Sequence, residues 1–342
     1  MMRLCTAHAC LALGLLLSPQ LFADESKTAA LPAGKQLSAW KLPDPLFPGS
    51  NPYSPEKAML GRQLFFEPRL SSSRSSSCAN CHHPGLGWAD ALPRTIRSHQ
   101  ALVRHTPSLI NIAYSTSFFW DGRAKTLEDA IEHHLTSRVD MPLQTEREIA
   151  ARIGSMKAYR RQFRKLFDSE QITTRHVAAA LATFVRTIII RDTAFDRWIG
   201  GDKSALSREA IAGFRLFTGK ARCVSCHTPP YFSDFKYHNT GLNSIDPGRF
   251  EVTHDPRDHN AFRTPGLRQV ARTAPYMHTG TKKTLLEVIR FYNQGGERPA
   301  GNNHLQPLHL NEEEIRNLLA FLHSLSGPPI AVTVPALPVS GD

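Results

Sequence analysis

Cysteine is scarce in this chain, six residues in 342, and long apolar runs are absent. A membrane span needs about 20 consecutive apolar residues. The best candidate, Leu11 to Leu17, falls far short, which excludes a polytopic membrane protein. Acidic residues are outnumbered, 30 against 41 Lys and Arg, so the formal charge is +11. With 41% hydrophobic and 21% charged residues the composition is neither disordered nor collagenous. The length suffices for two ordinary domains, each with its own core.

The first 23 residues read as a secretory signal. Met1-Met2-Arg3 is a short positive start, Leu11 to Leu17 an apolar stretch, and Leu21-Phe22-Ala23 offers a small residue for cleavage before Asp24. An uncleaved anchor helix is disfavoured because Ser18-Pro19-Gln20 ends the apolar run early. The expected location is therefore the bacterial periplasm. Losing Arg3 lowers the charge to +10, and export argues against nucleic acid as the partner of so basic a surface. An acidic protein partner fits better.

Cleavage also removes Cys5 and Cys10, leaving Cys78, Cys81, Cys223 and Cys226. Each pair runs directly into a histidine: Cys78-Ala79-Asn80-Cys81-His82 and Cys223-Val224-Ser225-Cys226-His227. In C-x-x-C-H the two thiols form thioethers to the vinyl groups of one haem, and the histidine ligates its iron. Two motifs imply two covalently bound haem c groups, with His82 and His227 as iron ligands. A shared zinc is the competing reading, but 141 residues intervene between Cys81 and Cys223, unlike any zinc ribbon. A thioredoxin-like redox pair would need a βαβ setting, which neither motif has.

An internal repeat accompanies the motifs. Gly61-Arg62-Gln63-Leu64-Phe65 precedes the first and Gly213-Phe214-Arg215-Leu216-Phe217 the second, so a helix ending in Leu-Phe leads into each attachment loop. The offset between His82 and His227 is 145 residues. The expected architecture is mainly α and loop-rich: two cytochrome c-like haem domains packed around an inter-haem interface, residues 24–200 and 201–327, followed by a Pro-rich extended tail, 328–342. Ser54-Pro55 opens a helix, Thr174 to Ile190 reads as another, and Asn311 with Glu314 forms a capping box before a helix stopped by Gly327-Pro328. The segment from Tyr231 to Gly248 is rich in turn residues and reads as loop wrapped around a cofactor.

Further segments carry a family resemblance over roughly Ser54 to Gly327: Leu64-Phe65-Phe66, Arg104-His105-Thr106-Pro107-Ser108-Leu109, Phe119-Trp120-Asp121-Gly122-Arg123, Phe262-Arg263-Thr264-Pro265 and Ala274-Pro275-Tyr276-Met277-His278. The chain resembles the bacterial di-haem cytochrome c peroxidase / MauG superfamily. The resemblance implies a periplasmic oxidoreductase that splits hydrogen peroxide at haem 1 and passes oxidising equivalents to haem 2 through Trp120, an indole that lies between the haems in relatives. On its own residues Trp120 also suits a core aromatic beside a tight Asp-Gly turn, and the two roles are compatible. Electrons would come from a protein substrate, as for MauG, or from a small cytochrome or cupredoxin, as for the peroxidases. A non-enzymatic electron carrier with both irons six-coordinate is the third reading.

The axial ligands discriminate among these. Fourteen residues beyond His278, where the peroxidases carry methionine and MauG tyrosine, this chain has Tyr292. A phenolate oxygen stabilises ferric and higher states, whereas methionine raises the potential. Helical packing is the alternative role for Tyr292, and Met277 is the competing ligand. Over haem 1 the family places a glutamate 20 residues after the tryptophan, here Asp140, and a proline at the position of His134; a glutamine position is Ala130. His134 and Asp140 are the expected proton-handling pair, since cleaving the O–O bond requires a proton to move between its oxygens. His133 and His134 equally fit a solvated helix face, and His134 could instead ligate iron. A gating histidine of relatives maps onto Ser98, next to His99. The family's inter-haem calcium has carbonyl ligands at Thr273 and Pro275, but its asparagine position is His105, a poor ligand for a hard cation.

Overall fold

The computed structural model describes residues 37–93, 96–97, 100–101, 104–137, 145–297 and 305–339. Proline has no amide hydrogen to donate, so it suits the first turn of a helix. Helix α1 (Pro55–Phe65) starts that way, with the Ser54 side chain accepting from the Lys57 amide. A single turn, α2 (Cys78–Cys81), carries the first thiol pair. Helices α3 (Leu127–Thr136), α4 (Glu146–Gly154), α5 (Lys157–Phe167) and α6 (Thr174–Val185) follow. Then come α7 (Ala194–Ile199), α8 (Arg208–Thr218), α9 (Phe250–Thr253), α10 (Leu285–Asn293) and α11 (Glu312–Ser324). Among the described residues the strands form two antiparallel pairs of two residues each: β1 (Ile96–Arg97) with β2 (Gln100–Ala101), and β3 (Tyr237–His238) with β4 (Phe262–Arg263). No helix among the described residues is long and apolar enough to cross a membrane.

The repeat seen in sequence is a repeat in packing. Gly61 on α1 lies so close to α6 that a Cβ there would sit 2.0 Å from the Ala180 carbonyl oxygen and 2.8 Å from Phe184 Cβ. Gly213 on α8 meets α11 in the same way, 1.9 Å from the Asn317 oxygen and 2.8 Å from Phe321 Cβ. Each glycine lets two helices cross at backbone contact, and four residues on, Phe65 and Phe217 are both fully buried.

Two hydrophobic clusters result. The first gathers Leu60, Leu64, Phe65, Trp88, Tyr159, Phe163, Leu181 and Phe184, with Ile330 and Val332 of the tail packed against it. The second is aromatic, built on Trp40, Phe195, Phe214, Phe217, Phe232 and Phe321. It draws Trp40, Phe195 and Trp198 from chain preceding residue 201. The tail lies against the first cluster, and its Pro338 carbonyl accepts from Arg69 at 2.7 Å.

One expected helix is shorter than its pattern. The run from Thr174 to Ile190 leaves the helix at Val185. Thr187 and three isoleucines follow, β-branched residues that lose side-chain freedom in a helix. Asn111 captures their backbone instead, its amide donating to the Ile188 oxygen (2.9 Å) and its side-chain oxygen accepting from the Ile190 amide (2.9 Å). The Asn311 capping box forms as expected, Glu314 accepting from the Asn311 amide at 2.9 Å and Asn311 from the Glu314 amide at 2.9 Å. Between Tyr231 and Gly248 the only regular element among the described residues is β3.

Candidate functional site

Both C-x-x-C-H segments fold as one helical turn. The His82 amide donates to the Cys78 oxygen at 2.9 Å and the His227 amide to the Cys223 oxygen at 2.9 Å. The imidazoles are then oriented alike: His82 Nδ1 lies 3.2 Å from the Trp88 carbonyl oxygen and His227 Nδ1 2.8 Å from that of Phe232. A carbonyl only accepts, so Nδ1 carries the proton and Nε2 presents a lone pair, the arrangement of a metal-ligating histidine. Trp88 and Phe232 are both fully buried with positive φ (59° and 54°), so the repeat extends to the residue that orients each ligand. The four motif cysteines form no disulfide.

Around the second motif lies a cavity of about 500 Å³. Cys223, Cys226 and His227 line it together with Tyr292, Met277 and the apolar side chains of Leu285, Ile289, Leu318 and Leu322. Helix α10 fixes Tyr292 by burying Leu285, Ile289 and Phe291 on its other positions. Burial raises the Tyr292 phenol well above its ordinary range, and the neighbouring thiols of Cys223 and Cys226 add to the effect. It would release its proton only to a cation at its oxygen. The donor set fits a haem in further respects. Arg263 and Arg268 also line the cavity. Arg263 is buried and held by Ser115 (3.2 Å) and the Phe119 carbonyl (3.4 Å), and its guanidinium is pushed down to about 10 by desolvation. Arg268 pairs with Asp196 at 2.6 Å but leaves Nε buried without a partner. Buried cationic groups at an apolar cavity suit an anionic occupant, which the carboxylates of a haem would supply.

The same wall reaches the first cluster. Phe118 and Phe119 belong to that cluster, while the next residue, Trp120, lines the second cavity. The Trp120 indole donates to the His105 carbonyl at 2.8 Å, its own carbonyl accepts from the Arg263 amide at 2.8 Å, and its ring meets His278 edge-on at 6.4 Å. Asp121 is buried and accepts from Arg104 (2.5 Å) and Arg123 (2.9 Å), and Arg104 also pairs with buried Asp246 at 2.6 Å. Gly122 has φ +69°, and a Cβ there would lie 1.7 Å from the Tyr237 hydroxyl. His105, Thr273 and Pro275 line this cavity as well. His105 Nδ1 donates to the Leu92 carbonyl at 2.7 Å. Buried His278 stacks on Phe262 at 3.6 Å and is pushed down to about 4, chiefly by desolvation.

Of the other expected residues, those that are described do not line this cavity. His134 lies half-exposed in the last turn of α3, His133 is exposed beside Phe119 at 5.5 Å, and Ala130 is buried. Asp140 lies outside the described residues, as do Ser98 and His99. Two groups that the sequence did not single out border the second motif: Asp234 and His238 hydrogen-bond at 2.8 Å and form, with Cys226, a cluster whose ligand atoms lie within 4.8 Å. A thioether at Cys226 would leave that trio without its thiolate. Asp246 was equally hidden, because its partner Arg104 is 142 residues away in the chain.

Two C-x-x-C-H turns, each seated on its own helical cluster with its histidine oriented for metal ligation, define a c-type di-haem protein. The chain belongs to the di-haem cytochrome c peroxidase family, whose family model matches residues 55–204. It is 43% identical to the methylamine utilization protein MauG of Methylorubrum extorquens, across 85% of this chain and 84% of the relative. It is 32% identical to the cytochrome c551 peroxidase of Nitrosomonas europaea, across 85% of this chain and 86% of that protein. Among solved structures, a MauG-like protein associated with microbial copper homeostasis superimposes with TM-score 0.76 at 31% identity, covering 83% of this chain and 93% of that one. The chain is accordingly a peroxidase-type di-haem oxidoreductase that takes two haem c groups.

Proposed function

We propose that this chain is a periplasmic, MauG-like enzyme that uses hydrogen peroxide to oxidise a partner protein, carrying one haem on each cluster. The observation that carries the reading is Tyr292 on the cavity wall shared with Cys223, Cys226 and His227. A haem held by Cys78, Cys81 and His82 would supply peroxide cleavage, and one held by Cys223, Cys226 and His227 would share the oxidising charge. The residues of the chain supply the rest. His82 and His227 are held as neutral ligands by backbone carbonyls, and Tyr292 offers a phenol oxygen that would ionise only against a bound cation. Trp120 places an oxidisable indole where the first cluster meets the second cavity, and His134 with Asp140 moves the peroxide proton. The basic surface suits an acidic partner, and residues 1–23 direct export. A calcium ion at the Thr273 and Pro275 carbonyls would need water to complete its shell, because His105 is a poor ligand for a hard cation.

The test adds hydrogen peroxide to the fully oxidised holoprotein and follows its absorption and EPR spectra, in wild type, Tyr292→Phe and Met277→Leu. A long-lived oxidised species without prior reduction, together with a second-haem spectrum altered by Tyr292→Phe alone, is the expected result. A spectrum that responds to Met277→Leu and ignores Tyr292→Phe refutes the ligand. Resemblance to cytochrome c551 peroxidase favours a second reading, reduction of peroxide with electrons from a small cytochrome or cupredoxin. Activity appearing only after one-electron reduction would select it, and no response at all would mark an electron carrier.

A further inference from the structure

We infer that Tyr231 and Tyr114 form an electron path between the second cavity and the protein surface. The inference rests on the peroxide chemistry proposed above. Both residues line the cavity that holds Cys223, Cys226 and His227. Their rings stack with centroids 5.1 Å apart and planes at 30°. Tyr231 directly precedes Phe232, whose carbonyl orients His227, so it is anchored to the iron ligand through one peptide.

The outer end of the pair reaches solvent-facing groups. The Tyr114 hydroxyl donates to the Pro43 carbonyl at 2.7 Å and accepts from Arg191 at 3.1 Å. Arg191 is 38% exposed and pairs at 2.5 Å with Asp44, which is 91% exposed. Tunnelling slows exponentially with distance, so two short hops between oxidisable rings outrun one long transfer across aliphatic protein. A phenol serves as a hop site when its proton can leave with the electron, and a hydroxyl near the surface has water to receive it. The cationic Arg191 beside Tyr114 disfavours a protonated radical and so enforces that release.

The step balances. Hydrogen peroxide takes up two electrons and two protons to give two waters. A tyrosine that refills one electron at the cavity loses that electron, releases its hydroxyl proton to water and becomes a neutral phenoxyl radical, which an electron from the partner protein and a proton from water restore. Tyr276, on the same wall but outside the stacked pair, provides the control.

The experiment uses holoprotein of wild type, Tyr114→Phe, Tyr231→Phe and Tyr276→Phe; phenylalanine keeps the stacked ring and thereby the packing. Each is mixed with peroxide without a donor, frozen for EPR, and in parallel treated with a nitroso spin trap before peptide mass spectrometry. Expected are a tyrosyl signal and a trap adduct at Tyr114 in wild type and Tyr276→Phe, and loss of that adduct in Tyr114→Phe and Tyr231→Phe. A signal unchanged in both variants, or adducts that avoid Tyr114, overturns the path. A wild-type haem spectrum that ignores peroxide refutes the proposed function itself. Oxidation of the reduced holoprotein by photogenerated tris(bipyridine)ruthenium(III) then decides the path alone: slower haem oxidation in the Tyr114 and Tyr231 variants supports it, and equal rates refute it.

Discussion

Replacing Gly213 by alanine sets two effects of known sign against each other. Alanine is the better helix former by about 1 kcal/mol, so on propensity alone Gly213→Ala stabilises α8. The structure opposes this, because the added Cβ would lie 1.9 Å from the Asn317 carbonyl oxygen of α11. Ordinary contact begins near 3.4 Å, so the helices must part by roughly 1.5 Å. Neither contact atom is a flexible side-chain end: one is backbone, and Phe321, whose Cβ is 2.8 Å away, is fully buried in the aromatic cluster. Overpacking of this kind costs about 1–3 kcal/mol. Set against the propensity gain, this leaves a net loss of up to about 2 kcal/mol. Gly61→Ala should match it, with 2.0 Å to the Ala180 oxygen. Gly154→Ala in α4 is the control, since its nearest neighbour is Ile172 Cδ1 at 3.9 Å and it should gain up to about 1 kcal/mol. Urea unfolding of the holoproteins, followed by tryptophan fluorescence, reads all three. A Gly213→Ala protein as stable as the Gly154→Ala control would refute the claim that close helix crossing organises each haem cluster.

Three further outcomes follow from the site and its support. Cys223→Ala with Cys226→Ala should lower covalently bound haem from two per chain to one while leaving the first attachment intact, as read by haem-stained denaturing gels and intact mass. Glu128 is buried and accepts from Arg186 (2.6 and 2.8 Å) and Asn51 (2.7 Å), so Glu128→Ala strands a buried guanidinium and should cost about 3–5 kcal/mol in urea unfolding. His278 is held neutral down to about 4, so between its ordinary pKa of 6.5 and that value the unfolded chain binds the extra proton. Stability should therefore be full above 6.5 and fall by up to about 3 kcal/mol as the pH drops toward 4. In His278→Phe the fall over that window should be shallower, and an identical slope would show that His278 does not titrate there.

The amino-acid order alone carried the cofactor chemistry, because covalent haem attachment is a local event: Cys78, Cys81 and His82 must lie within one turn, and so must Cys223, Cys226 and His227. Helix starts at Ser54-Pro55 and Asn311 were readable for the same reason, since caps act over three or four residues. What the fold alone decided involves partners far apart in sequence. Asn111 ends the helix that the Thr174 to Ile190 pattern would continue, Asp246 answers Arg104, and Gly213 meets Asn317 across the second cluster. Tyr292 shows the division most clearly. Its family register suggested a ligand, but a helical tyrosine is more often packing, and only the closure of α10 over the second attachment turn puts that phenol on the wall shared with His227. Local sequence fixes bonds between near neighbours, whereas which distant side chains share a cavity depends on how whole helices pack.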